Sequence, residues 1–149
     1  METKIQKEFI DVGFGFPVTL RNVPMIKVRG IWTPKINYNQ LTDSVLIALS
    51  FKPGRLTGAE IKFIRLHFEM TLQAFAERFG VTHVAVLKWE KAKDQPTAMN
   101  WATEKDIRLF ILSQQKVKAT VFAKLYAELE NMPSGKRSNI NLDLEKLAA

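Results

Sequence analysis

Phe75-Ala76-Glu77-Arg78-Phe79-Gly80-Val81-Thr82-His83-Val84-Ala85-Val86-Leu87-Lys88-Trp89-Glu90 has the spacing of two short helices joined by a tight turn. The small side chain of Ala76 lets a second helix cross closely, and Gly80 has the backbone freedom such a turn needs. Phe75, Phe79, Val81, Val86 and Trp89 fall where the two helices bury their shared faces. Thr82 is placed to cap the second helix, its hydroxyl accepting from an early backbone N–H. These residue types meet different geometric demands together, and the stretch reads as a helix-turn-helix.

Working outward, Thr71 is expected to open the first helix of the pair. Upstream, Thr57-Gly58-Ala59-Glu60 is a capping-box pattern, with Ile61, Ile64, Leu66 and Phe68 as the apolar surface of the helix it starts. Pro96 prevents the Thr82 helix from running past Lys91 to Asp94. A further helix from about Asn100 carries Trp101, Ile107, Phe110 and Ile111. Residues 56–113 are therefore read as the helix-turn-helix domain.

Residues 1–38 read as an extended or β segment. Val18 and Leu20 alternate with Thr19 and Arg21, and Ile26 and Val28 with Lys27 and Arg29, punctuated by Asn22-Val23-Pro24 and Gly30. Gly13, Gly15 and Pro17 look like a mobile lead-in; Gly13-Phe14-Gly15 lacks the residues of a phosphate loop. Residues 39–55 form a linker helix and turn, with Leu41, Val45, Leu46 and Leu49 at helical spacing and a break at Lys52-Pro53-Gly54. Residues 114–149 hold an amphipathic helix, with Val117, Val121, Leu125 and Leu129 recurring on one side, stopped at Met132-Pro133-Ser134-Gly135. The tail Ile140-Asn141-Leu142-Asp143-Leu144 alternates like a short strand; it is read as a disordered terminus or as a strand added to a partner.

Composition narrows the partner. Hydrophobic content of 46% supports a folded core, and a net charge of +7 favours an anionic partner, nucleic acid before a membrane surface. Residues 1–55 carry eight Lys/Arg against four Asp/Glu, residues 56–113 eight against seven, and residues 114–149 six against four. The excess lies mostly outside the helix-turn-helix, so the arms would supply much of any attraction to a phosphate backbone. With no cysteine, disulfides, thiolate catalysis and cysteine-ligated zinc are excluded, and two histidines make no metal site. No serine, histidine and acid arrangement stands out, the acids reading as scattered over helix surfaces, so no enzyme and no cofactor is expected. Met1-Glu2-Thr3-Lys4-Ile5 lacks a signal-peptide core, and no apolar run approaches the ~20 residues of a membrane span. A cytoplasmic protein is the expectation.

Gly54-Arg55-Leu56-Thr57-Gly58-Ala59-Glu60-Ile61-Lys62-Phe63-Ile64-Arg65, followed by Thr71 and by Trp89-Glu90, resembles the DNA-binding half of MqsA-like type II antitoxins. These belong to the Xre class of lambda-repressor-like helix-turn-helix regulators. The resemblance covers residues 41–113 and extends weakly into Val18 to Asn37, where the family has a zinc-binding domain held by paired cysteines that this chain lacks. It implies an operator-binding homodimer, a repressor of transcription, and an antitoxin with a cognate toxin protein as partner in a toxin-antitoxin system. The fold so expected is mainly α: a lambda-repressor-like bundle of about five helices with a small N-terminal β or extended segment.

Site residues follow from that geometry. Double-stranded DNA is expected to meet Thr71, Gln73, Thr82, His83, Val84, Ala85, Leu87, Lys88, Lys91 and Lys93. Family members often place glutamine directly after the Thr/Ser that opens the first helix; here that site is Leu72, with Gln73 one place later. Family members also usually have polar side chains where Val84 and Leu87 stand. Only His83 and Lys88 offer a strong donor to a base edge, so direct readout is expected to be modest and weighted to thymine methyls. Lys88, Lys91 and Lys93 would grip phosphates, or form a solvated lysine face. Thr71 and Thr82 are caps that can also meet phosphates. The stripe Val117, Val121, Leu125 and Leu129 either closes the helical core or pairs across a two-fold axis in a homodimer. The alternative to DNA reading is a protein-interaction module that keeps the fold, motivated by the apolar outward positions Val84, Ala85 and Leu87.

Overall fold

A computed structural model describes residues 2–133, 135 and 139–147. The order is β1 (Thr3–Asp11), β2 (Val18–Val28), β3 (Ile31–Pro34), α1 (Tyr38–Ser50), α2 (Gly58–His67), α3 (Leu72–Phe79), α4 (His83–Lys91), α5 (Trp101–Ser113), α6 (Ala119–Glu128), β4 (Ile140–Asp143) and α7 (Leu144–Leu147). Among the described residues, seven helices and a four-stranded mixed sheet, 47% helix and 21% strand, make this an α/β protein. The expectation of a mainly α bundle with a small N-terminal segment is corrected on that ground. The chain divides into two units, Met1–Val45 with Asn139–Ala149, and Leu46–Ser138, so the division falls inside α1.

The first unit is built on the sheet. β2 is its hub: β1 pairs with it antiparallel along its length, from Asp11↔Val18 to Thr3↔Ile26. On its other side β4 runs parallel to Val18–Arg21, and β3 runs antiparallel to Met25–Val28. Pro24, which has no N–H to donate, lies between these two partners, and its carbonyl accepts from the Lys35 N–H at 2.8 Å. Arg29 and Gly30, both at positive φ (52° and 81°), make the two-residue turn into β3.

Three expectations change here. The Gly13 to Pro17 lead-in is the loop of the β1–β2 hairpin, organised by Asp11, whose Oδ1 accepts from the Gly13 N–H at 2.7 Å. The C-terminal tail is the chain's own fourth strand, in register from Val18↔Ile140 to Arg21↔Asp143. Third, Ile26 is only half-buried and Val28 is 46% exposed, although both alternate with charged residues. The cause is Asn22, whose φ of 54° slips the strand's alternation by one. Val18 and Leu20 face the core before it, Val23 and Met25 after it. Phe16, Leu41, Val45 and Ile140 complete this core.

The second unit is helical. Its core is drawn from Leu46, Leu49, Leu56, Ile61, Ile64, Phe75, Phe79, Val86, Trp89, Ile107 and Ile111, all buried, while Leu66, expected on the apolar side of α2, is 53% exposed. Leu112, Leu125 and Leu129 form a buried cluster onto which Ile47, Phe51, Trp101, Leu109, Val117, Val121 and Phe122 pack. The stripe is thus packed within the chain, with Val117 preceding α6 rather than lying on it. Ser134, part of the expected stop after α6, lies outside the described residues.

Acids expected on helix surfaces are partly inside. Glu60 accepts from Lys52 at 2.7 Å, both side chains almost fully buried. Glu104 accepts from Arg55 and Arg108, each at 2.9 Å. Arg108 also donates to the carbonyls of Ser50, Lys52 and Gly54, holding the turn after α1. Burial pushes the Arg108 guanidinium below its ordinary value, against the opposing pull of Glu104. A buried charge survives because every donor finds an acceptor.

Candidate nucleic-acid interface

The helix-turn-helix stretch folds as α3, a glycine turn and α4. Thr71 caps α3, its hydroxyl accepting from the Ala74 N–H at 3.0 Å. Gly80 ends it in the left-handed conformation (φ 69°), and the Val81 N–H returns to the Ala76 carbonyl at 2.9 Å. Thr82 caps α4 by accepting from the Ala85 N–H at 3.2 Å. Phe75, Ala76, Phe79, Val86 and Trp89 are buried, while Val81 is half-buried.

Two contacts fix α4 against α2. Arg65 holds Glu90 through two hydrogen bonds, 2.6 Å and 3.0 Å, and gives a third to the Met70 carbonyl at 3.0 Å. At the start of α2, a Cβ on Gly58 would stand 2.4 Å from the Trp89 carbonyl oxygen. Only glycine permits that approach. The capping box expected here is present, Thr57 and Glu60 each accepting from the other's backbone N–H.

With Val86 and Trp89 turned inward and Glu90 taken by Arg65, the outward side of α4 carries no acid. Thr82, His83, Lys88, Lys91 and Lys93 are exposed, Val84 is 60% and Leu87 39% exposed, and Ala85 is half-buried. Lys93 lies just beyond the helix at positive φ (54°), and its carbonyl accepts from the Ala59 N–H at 2.8 Å. On α3, Gln73 is exposed but gives an amide N–H to Glu77 at 3.0 Å. The structure thus gathers Thr82, His83, Val84, Leu87 and Lys88 on one short helix. Thr71 and Thr82 each use the hydroxyl as a cap. Leu125 and Leu129, read as a possible dimer surface, are buried in their own chain; Val117 and Val121 are half-buried against the same cluster.

Sequence reasoning did not single out Arg65, Glu90 or Gly58 individually. Arg65 and Glu90 are 25 residues apart, and only the crossing of α2 and α4 pairs them. Trp101 lies under Arg55 and Arg108, and Trp32 under Lys4 and Lys27. Among the described residues, no helix is long and apolar enough to cross a membrane. Comparison with protein-family models, curated proteins and solved structures finds no match.

Proposed function

We propose that this chain is a sequence-specific DNA-binding regulator of transcription, a repressor that inserts α4 into the major groove of its operator. The observation that carries the reading is the outward face of α4: capped by Thr82, free of acid, and carrying exposed His83, Val84, Leu87 and Lys88 with Lys91 and Lys93 beside them. His83 and Lys88 supply donors to base edges or phosphates, while Val84, Ala85 and Leu87 meet thymine methyls. One such helix covers one half-site, so the acting species in this reading is a homodimer on a two-fold operator. Thr71 and Gln73, at the start of α3, approach the flanking phosphates. The resemblance of Gly54 to Glu90 to MqsA-like antitoxins supports autoregulation beside a cognate toxin, in the cytoplasm where the operator is.

The test is binding of the purified protein to a labelled fragment from upstream of its own gene, against a scrambled fragment, at two salt concentrations. A preference that survives the higher salt is expected. Equal, strongly salt-dependent binding to both fragments would reduce the reading to net charge.

A second reading rests on Val84 and Leu87, large apolar groups exposed side by side on α4. In it α4 docks on a protein, the toxin or another partner, without reading DNA. Recovery of one stoichiometric protein, with no DNA preference, would favour it.

A further inference from the structure

The sheet of the first unit ends in an open edge. Among the described residues β1 pairs with β2 alone, and none of its nine residues is buried. An edge of that length offers backbone N–H and C=O groups to another strand, although the Glu8 carbonyl accepts from the Gln6 side-chain amide at 2.8 Å, which an incoming strand would displace. Its side chains are sorted by the same slip that Asn22 imposes on β2. Gln6, Phe9 and Asp11 are half-buried on the inner face, and Lys4 reaches over the Trp32 ring on that side at 4.4 Å. Ile5 and Ile10 lie on the outer face, 66% and 55% exposed. Lys7 and Glu8, between them, are both exposed.

We propose that β1 is a homodimer interface, pairing antiparallel with β1 of a second copy across a two-fold axis. One register matches every charge: Lys4 opposite Asp11, Ile5 opposite Ile10, Gln6 opposite Phe9, and Lys7 opposite Glu8. In a regular strand a two-fold axis perpendicular to the sheet brings only residues of like parity opposite each other. The slip at Lys7 lifts that restriction, because Gln6 and Phe9 share one face while Ile5 and Ile10 share the other. Moving the register one place either way sets Lys7 against Lys7 or Glu8 against Glu8, which like-charge repulsion disfavours. The occupant is therefore a second copy of this chain, selected by charge. This surface would supply the second half-site of the proposed regulator. It stands on the sheet edge alone and is tested without DNA.

Sedimentation of the purified full chain over a range of concentrations is expected to show a monomer–dimer equilibrium. Lys7→Glu alone, and Glu8→Lys alone, place like charges opposite each other and are expected to weaken self-association by about tenfold or more. Mixed in equal amounts, the two variants oppose Glu to Lys at both contacts, and the dimer is expected to return. In this cysteine-free chain, Ile5→Cys combined with Ile10→Cys is expected to form an intermolecular disulfide under mild oxidation. A wild-type chain that stays monomeric, a dimer indifferent to both charge reversals, or single variants that fail to associate when mixed would each overturn the proposal.

Discussion

Arg65 on α2 and Glu90 on α4 meet in a two-pronged ion pair, Nε to Oε2 at 2.6 Å and Nη2 to Oε1 at 3.0 Å, with both side chains nearly buried. This contact holds the helix with the exposed His83–Lys88 face against the rest of its unit, and it draws the acid of α4 away from the outward side. Arg65→Ala leaves Glu90 inside without its partner, at a cost of about 3 kcal/mol. Arg65→Lys recovers only part, because an ammonium cannot match two carboxylate oxygens in one plane. Urea denaturation reads both, and a loss for Arg65→Ala within the ~1 kcal/mol range of exposed pairs would sink the assignment.

Lys88 is exposed in the last turn of α4, on its outward side. Lys88→Ala is expected to leave stability unchanged, weaken operator binding, and lower the steepness of its salt dependence by about one unit in the log–log plot. An unchanged slope with unchanged affinity would remove Lys88 from the phosphate contacts.

Leu125 is fully buried among Leu112 and Leu129 of its own chain. Leu125→Ala is expected to destabilise by about 2–5 kcal/mol relative to wild type, by the same amount at low and high protein concentration. A concentration-dependent loss would place Leu125 between two chains instead.

Asp143 on β4 accepts from the Asn22 side-chain amide at 3.0 Å. That hydrogen bond, the larger cause, and those from the Glu145 and Lys146 backbone hold its carboxyl below the ordinary 3.8. Since the folded value lies below the unfolded one, the contribution is complete above the ordinary value and is lost as pH falls through the lower, folded value. Apart from the pH-independent cost of alanine at φ 54°, Asn22→Ala is expected to lose stability near pH 7, where the contribution is complete, and to flatten the acid dependence so that the gap to wild type narrows towards pH 2. Denaturant melts from pH 6 down to pH 2 check it, and an identical acid limb in the variant would count against the contact.

The local parts of the site were legible before any fold was known. Thr57, Thr71 and Thr82 cap helices, and Gly80 turns the chain, because each of these interactions closes within three or four residues. Helical periodicity likewise placed Leu41, Val45, Leu46 and Leu49 inside. The same logic hid β1, where Lys4, Lys7, Glu8 and Asp11 surround two exposed isoleucines and no residue is fully buried.

What the residues by themselves determined is the set of short-range geometries: caps, turns, helix faces and the pairing of α3 with α4. Tertiary structure alone decided that Ile140–Asp143 returns to lie parallel with Val18–Arg21, that Glu60 and Glu104 go inside with cationic partners, and that α6 turns Leu125 toward Leu112. An amphipathic stripe carries no address, and an acid shows its need for a partner only once burial has removed water. Contacts across more than a hundred residues, or between charges buried together, exist only when the chain has closed, and no local period records them.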